Sequence, residues 1–280
     1  MEGIRLENVT YAYAEGEAPT IDGLDLEIKR GEFVCVIGPN GSGKSTLSML
    51  LNGLIVPTSG TVTVDGYSTA DDAGADEVRR RVGHVFQDPD NQIVSSIVEE
   101  DVAFGPENLG VPPGEIEKRV AKALSDVGLS EKRRDTSYNL SGGQKQRLAI
   151  AGILAMEPRY LVLDEPTAML DPQGRSSVMK VILEQHGKGM TVVLITHHMD
   201  EAAEADRVVL LADGKKAADG TPRKILGNEA LLAEYGLDQP YPAKLAAALI
   251  RRGISVKEDP MTIEELESGI LEVLADGSRD

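Results

Sequence analysis

Three short stretches of this 280-residue chain place reactive residue types at fixed spacing. The first is Gly38, Pro39, Asn40, Gly41, Ser42, Gly43, Lys44 and Ser45, which fits the pattern G-x-x-x-x-G-K-[ST]. Glycines let a backbone approach an anion closely, and the loop N–H groups with the following helix N-terminus supply fixed positive potential. Lys44 can then reach the terminal phosphates of a nucleoside triphosphate, and the Ser45 hydroxyl can hold Mg²⁺. The second stretch is Tyr160-Leu161-Val162-Leu163-Asp164-Glu165, an apolar run ending in two acids. Asp164 is placed to hold Mg²⁺, and Glu165, one residue on, to face the γ-phosphate and activate a water. The third is Leu140-Ser141-Gly142-Gly143-Gln144-Lys145-Gln146-Arg147. It reads as a helix start capped by Ser141, with glycines exposing N–H groups, and so as a second anion site.

These residues need a scaffold, and the flanks predict one. Phe33–Ile37 is an apolar, β-rich run of strand length, and Thr46 opens a helix over Thr46–Asn52. This strand-loop-helix context separates a phosphate cradle from an ordinary glycine-rich turn. Val34–Ile37, Tyr160–Leu163 and Val192–Ile195 are continuously apolar, as strands covered on both faces are, and Val82–Phe86 predicts a further core strand ending at Gln87. Residues 4–13, Leu24–Ile28 and Gly60–Gly66 instead alternate with period two, which predicts half-buried antiparallel strands. Residues 90–157 are mostly helical in pattern, with Pro112-Pro113 at a turn, and 176–187 predicts another helix. Asp213-Gly214 between Val208–Leu211 and Lys215–Ala218 is a type I′ hairpin signal. The basic run within Asp76–His84 reads as a solvated helix end. An antiparallel layer therefore decorates an α/β core.

Composition excludes several classes. The net charge of −17 opposes both a nucleic-acid surface and polybasic docking on lipid. No apolar run approaches the roughly 20 residues that cross a bilayer. The N-terminus, Met1-Glu2-Gly3-Ile4-Arg5, does not read as a signal peptide, so work at a membrane is expected to go through a partner, without direct lipid insertion. The one cysteine, Cys35, excludes an internal disulfide and reads as a core residue, which suits a reducing cytoplasm. Four histidines and one cysteine show no metal-ligand spacing, and His84 and His186 read as surface or core residues.

Leu140–Gln144, Leu-Ser-Gly-Gly-Gln, resembles the signature of ABC-type ATPases, and the likeness extends over residues 1–230. It implies a P-loop NTPase fold of α/β class: a RecA-like core sheet, an antiparallel β subdomain and a helical subdomain at about 88–157. It also assigns roles in order along the chain. Tyr13 matches the aromatic that stacks on adenine, with Tyr11 the competing choice; Tyr13 is favoured because it is expected to end the strand. Gln87 matches the glutamine that senses Mg²⁺ and the attacking water. Asp171 matches the loop that crosses the dimer. His197 matches the histidine at the γ-phosphate, with His198 as its rival and position directly after Thr196 favouring His197. In this family ATP on one subunit's loop is covered in trans by the partner's signature, here Ser141, Gly142, Gly143 and Gln144. The resemblance therefore implies an ATPase that binds ATP and Mg²⁺ (the ion at Ser45, Gln87 and Asp164) at two composite sites of a dimer.

Phe86–Gln92 and Phe104–Gly110 further resemble the ATPase subunits of energy-coupling factor importers, the group that includes cobalt-transport ATPases. That resemblance implies a subunit on the cytoplasmic face of the cell membrane, peripheral, powering uptake of a vitamin or transition-metal ion. Its partners would be a transmembrane T-component and a substrate-binding S-component. The segment after Gln87, with Asp90, Asn91 and Gln92, is expected to form the groove for the transmembrane partner's coupling helices. Met169 stands where small residues are more frequent, which favours a heterodimer with a paralogous chain over a homodimer. The nucleotide-binding domain is expected to span 1–235 and a small α-helical C-terminal extension 236–280. In the extension, Ala243–Arg252 predicts a helix with Leu245 and Leu249 on one face. Thr262 with Glu265 reads as a capping box, Met261 with Leu266 as a hydrophobic staple, and Ile263, Leu266, Ile270 and Leu274 as one apolar stripe. In the family such a tail helps join two ATPase subunits; packing on its own domain is the other option. The alternatives to this reading are the ATPase of a conventional importer with a dedicated binding protein, and a soluble non-transport ABC protein.

Overall fold

Residues 2–254, 256 and 260–277 are described by this computed structural model. Strands β1 (Gly3–Tyr11) and β2 (Ile21–Lys29) pair antiparallel, with Ile4 opposite Ile28 and Leu6 opposite Leu26. β3 (Phe33–Ile37), buried throughout, leads through the glycine loop into α1 (Lys44–Asn52). β4 (Ser59–Val64) and β5 (Tyr67–Ser68) return to the first sheet, which has the order β2-β1-β4-β5. α2 (Asp72–Arg81) is capped by Asp71, whose carboxylate accepts from the Gly74 N–H at 2.7 Å. Its C-terminal arginines are the expected basic helix end, and Arg81 lies 4.2 Å over the Tyr67 ring. β6 (Val82–Val85) is followed by the helices α3 (Val98–Asn108), α4 (Pro113–Asp126) and α5 (Gly142–Leu154). Then come β7 (Tyr160–Asp164), α6 (Pro172–Gly187), β8 (Thr191–Ile195), α7 (Met199–Ala202), β9 (Arg207–Ala212) and β10 (Lys215–Gly220). Four helices close the described chain: α8 (Pro222–Leu226), α9 (Glu229–Glu234), α10 (Tyr241–Arg251) and α11 (Ile263–Gly277).

The core sheet has the order β10-β9-β3-β8-β7-β6, with β10 antiparallel to β9 and the other pairs parallel. This is the α/β architecture with an antiparallel layer that the hydrophobic periodicities predict. Alternate residues of β3 separate the two cores. Phe33, Cys35 and Ile37 face the cluster built by the helical segment, α6 and the tail. Val34 and Val36 face Leu47, Leu50 and Leu51 of α1 and the inner face of the antiparallel sheet. Each fully buried leucine of α1 stabilises this contact by about 1.5–3 kcal/mol. Burial also pushes the Cys35 thiol well up from its ordinary range, so it is an inert core residue. At the β9–β10 turn Asp213 (φ 48) and Gly214 (φ 72) both take positive φ, as a type I′ turn requires.

The two layers are also fastened by one acid. Asp65, whose side chain is 6% exposed, accepts from the Gly3 N–H, the Tyr160 hydroxyl and Arg159. Burial pushes its carboxyl upward, but these hydrogen bonds outweigh that and leave it below its ordinary value. Asp65→Asn is expected to destabilise the chain by about 1–3 kcal/mol, because an amide cannot accept all three bonds. A lowered folded pKa contributes stability above the unfolded value of roughly 3.9 and loses it as pH falls through the folded value. The difference between the two proteins in denaturant melts should therefore be present at neutral pH and shrink in acid.

The C-terminal segment departs from expectation in three respects. Thr262 does cap, its hydroxyl accepting from the Glu265 N–H at 3.3 Å, but the Glu265 carboxylate reaches past the cap to the Met261 N–H at 2.6 Å. Met261 and Leu266 do not form a staple: Met261 joins the main core, while Leu266 packs with Ala246 and Val256. The stripe is broken too, because Ile263 is 67% exposed whereas Leu266 is buried. The Leu274 side chain lies outside the described residues. Met261, Ala243 and an Arg223–Glu265 ion pair at 3.0 Å fasten this segment to its own chain.

Candidate functional site

Parallel register brings the chemistry together. Val85 pairs with Leu163 and Asp164 with Ile195, so the residues just beyond β6, β7 and β8 emerge side by side. Those residues are Gln87, Glu165 and His197. One Glu165 oxygen, Oε2, is 3.3 Å from the Gln87 Nε2 that donates to it, and also 3.3 Å from His197 Nδ1. Glu165 itself has φ 48, a left-handed conformation costing roughly 1–2 kcal/mol for a residue with a Cβ. Its N–H bonded to the Ile195 carbonyl at 2.9 Å holds it there. Backbone strain of this kind clusters where side chains must be aimed. His197, not His198, lies against Glu165. His198 instead receives a bond from Arg175 at 2.9 Å, and burial, the neighbouring His197 and Arg175 lower its pKa to about 4.

The loop after β3 lies beside these residues in the sheet order. Gly38 sits at φ 153, and a Cβ there would be 2.0 Å from the Leu211 carbonyl oxygen, so no other residue fits. Lys44 is buried and its Nζ donates to the carbonyls of Gly38 and Pro39, each at 2.9 Å. Burial draws its pKa down, against the pull of Glu165 and Asp164. Asn40, Gly41 and Ser45 are exposed at the rim. Gly43 precedes α1 at φ 99 with no side-chain cap, leaving the first N–H groups of the helix open. Thr46 shares a 3.0 Å hydrogen bond with the Tyr13 hydroxyl. Tyr13 does not end a strand as expected, since β1 stops at Tyr11; it projects beyond, 59% exposed, with its ring edge-on to Tyr11. Tyr11 packs into the core, so Tyr13 is the aromatic available to a base.

Two orphaned atoms test whether a nucleotide and its metal fit. Asp164 Oδ1 and Ser42 Oγ are buried with no partner among the described residues. A carboxylate oxygen suits a hard cation, and a hydroxyl inside an N–H-rich loop suits a phosphate. Asp164 Oδ2 accepts from Ser48 at 3.4 Å. Burial raises the Asp164 carboxyl, and hydrogen bonds from Ser45 and Ser48 and the charge of Lys44 oppose this. The donor set Ser45, Asp164 and Gln87 fits Mg²⁺. Ser48 went unnoticed in the sequence; its position one helical turn after Ser45 was the available signal.

The signature stretch forms a separate surface. Ser141 and Gln144 make a reciprocal capping box at the start of α5, which holds the glycine N–H groups open. A Cβ on Gly143 would meet the Gly174 Cα at 3.0 Å, so α5 and α6 touch backbone to backbone. Asp171 caps α6 by accepting from the Gly174 N–H at 2.7 Å. A cleft of about 460 Å³ opens here between Ser141–Gln144 and Met169–Asp171, with Met169 67% exposed. No hydrogen bond or ion pair joins Ser141–Gln144 to Gly38–Thr46 among the described residues. The glycine loop and the signature stretch are therefore not bonded to each other within the described chain.

The segment expected to form the groove, Asp90, Asn91 and Gln92, lies at the surface beside α5, with Asp90 and Asn91 exposed. Asp90 pairs with Lys145 at 2.6 Å, and Gln92 folds back to accept from the Phe86 N–H at 3.2 Å. The first of these bonds ties the segment to α5 and the second to the end of β6. A separate cleft of about 780 Å³ lies between α3 and α4, lined by Glu99, Ala103, Phe104, Glu107 and Ile116 among others. His84 is buried against Phe86 with both ring nitrogens unpartnered, and burial lowers its pKa to about 4; His186 lies 3.5 Å from Asp206.

The chain is similar to known proteins in sequence and in fold. The ABC transporter family model matches residues 21–168. The energy-coupling factor transporter ATP-binding protein EcfA1 of Clostridium novyi (strain NT) is 49% identical, over 96% of this chain and 98% of that protein. Among solved structures, cbiO1 from Clostridium perfringens, part of the ABC transporter complex cbiONQ, superposes with a TM-score of 0.76 at 37% identity, covering 89% of this chain and 96% of that one. The ATP-binding cassette MJ0796, dimeric in a post-hydrolysis state with ADP and Pi, gives 0.70 at 33% identity, covering 79% and 99%. Identity at this level across nearly the whole length leaves one assignment: the chain belongs to the ABC transporter family, in its branch of energy-coupling factor ATP-binding proteins.

Proposed function

We propose that this ATPase subunit binds ATP on the Gly38–Thr46 loop and hydrolyses it with Glu165 as general base, powering import through membrane partners. The convergence of Gln87 and His197 on one Glu165 oxygen carries this reading. Lys44 and the loop N–H groups bind the β- and γ-phosphates, and the Tyr13 ring stacks on the adenine. Mg²⁺, held by Ser45, Asp164 and Gln87, would neutralise charge on the phosphate oxygens. Glu165 accepts the proton of the attacking water, Gln87 orients that water, and His197 donates to the γ-phosphate. Ser141–Gln144 serve the partner subunit's nucleotide, and Asp171 lies at the crossing between the two. The separation of the two surfaces within one chain supports that division. The second subunit is a copy of this chain or a paralogue.

Residues 1–235 act as the nucleotide-binding domain and 236–280 as the extension. The segment after Gln87, with Asp90, Asn91 and Gln92, takes the coupling helices of a T-component, which works with an S-component that binds a vitamin or a transition-metal ion. None of the described helices is long and apolar enough to cross a membrane, which fits a peripheral subunit on the cytoplasmic face. The full-length chain, co-expressed with its genomic neighbours, should co-purify in detergent with a multi-span membrane protein and a small substrate-binding membrane subunit. That complex should hydrolyse ATP in the presence of Mg²⁺. Stable recovery with a permease pair and a soluble binding protein would instead assign a conventional importer.

A further inference from the structure

One buried acid has no part in the scheme above. Glu201, on the short helix α7, is 6% exposed, and it is the one glutamate in the buried set among the described residues. Its Oε1 accepts from the Thr167 hydroxyl at 2.7 Å and its Oε2 from the Thr196 hydroxyl at 2.6 Å. Both threonines are 1% exposed. The Thr196 oxygen also accepts from the His198 N–H at 3.0 Å. Thr167 is two residues after Glu165, and Thr196 directly precedes His197.

The placement is informative because of where the sheet ends. β7 and β8 pair up to Asp164 opposite Ile195, and one further bond joins the Glu165 N–H to the Ile195 carbonyl. Past that point the Glu201 carboxylate continues the connection between the two loops. A carboxylate is costly to bury unless hydrogen bonds satisfy it, and these two hydroxyls do so. Burial pushes the Glu201 carboxyl up and the bonds from Thr196 and Thr167 pull it back. A glutamate serving solubility would lie on the surface.

We propose that Glu201 is a positioning residue for hydrolysis, a clamp whose two threonine bonds set the spacing between Glu165 and His197. It touches neither nucleotide nor water and acts through the loops that carry those side chains. The inference rests on the roles given above to Glu165 and His197. Misplacing a reacting group by about 1 Å can lower a rate by about 100-fold, so a clamp of this kind has a measurable effect.

The test uses the full-length chain in its membrane complex, with kcat and KM for ATP and the melting temperature measured together. Glu201→Gln replaces one acceptor by a donor, so one threonine must turn its hydroxyl to accept, its own proton loses its acceptor, and the clamp on that loop weakens. It is expected to lower kcat by about 10- to 100-fold with KM within about three-fold, since ATP is held on the loop after β3. Thr167→Val and Thr196→Val should do the same, and Thr167→Ser and Thr196→Ser, which keep the hydroxyl, should retain about half the rate or more. The Glu201→Gln/Thr167→Val pair should lose no more than the worse single variant, because both remove one connection. The proposal is overturned if Glu201→Gln keeps kcat within about two-fold, or if the serine variants fall as far as the valines with melting temperature falling in step. Glu165→Gln is measured alongside. If it abolishes turnover while Glu201→Gln does not, the clamp alone fails; if turnover survives Glu165→Gln, the catalytic assignment beneath the clamp fails with it.

Discussion

Glu165→Gln is expected to lower kcat for ATP hydrolysis by about 100- to 1,000-fold while leaving ATP affinity within a few-fold of the parent. The change is nearly isosteric. The amide oxygen can still accept from Gln87, and the side chain can still lie against His197, so the strained turn at φ 48 keeps its surroundings. What disappears is a group able to take a proton from water. Binding is carried elsewhere, by the Gly38–Thr46 loop and by Lys44, which the substitution does not touch. ATP therefore loads and is not consumed, and the nucleotide-bound dimer accumulates. Phosphate release measures the first effect, equilibrium nucleotide binding the second, and size-exclusion with light scattering the third. Turnover within ten-fold of the parent would remove Glu165 from the role of base.

Lys44→Ala should act on the other side of that division. Lys44 Nζ holds the Gly38 and Pro39 carbonyls, which pre-forms the loop in the shape that wraps a phosphate. It is also the one lysine or arginine in the buried set among the described residues, on the loop proposed to hold the triphosphate, inside a protein of net charge −17. Its loss removes the attraction and the pre-formed shape together. Affinity for MgATP is expected to fall by about 100-fold, equivalent to about 2.7 kcal/mol. Calorimetric titration of the full-length chain gives the number directly. A dissociation constant within three-fold of the parent would show that the loop N–H groups alone suffice.

The two variants rest on residues that differed in how readable they were. Lys44, Ser45, Asp164 and Glu165 are legible because each sits inside a local pattern: a glycine loop between strand and helix for the first two, an apolar strand ending in acids for the last two. Sheet architecture is legible for the same reason, since Val34–Ile37 and Leu24–Ile28 differ in periodicity by what covers them. Gln87 and His197 also follow apolar strands, but a lone glutamine or histidine at a strand's end names no chemistry by itself. They lie 78 and 32 residues from Glu165 on either side, and only parallel register at the sheet edge sets them against one oxygen. Family resemblance supplied their candidacy, and geometry supplied the contact. Glu201 was invisible for a different reason. A glutamate two residues into a short helix reads as solvated, and its burial depends on two threonines distant in sequence. The tail was misjudged by local rules as well: Met261 leaves the expected staple because the main core offers it a larger apolar contact.

The backbone contact of α5 on α6 also bears on how this chain can change over generations. A methyl at position 143 would lie 3.0 Å from the Gly174 Cα, and one at 174 would come within 2.7 Å of Asp171 Oδ1 and 3.3 Å of Leu170 Cβ. A side chain at 143 needs α5 and α6 to part by a few tenths of an ångström, and one at 174 displaces the Asp171 carboxylate from its cap. Moving α5 shifts the signature, and moving α6 shifts the Asp171 cap and the Met169 rim. The two glycines guard neighbouring parts of one surface. On the proposed dimer that surface faces the second subunit, so a lineage that enlarged either glycine would oblige its partner to follow.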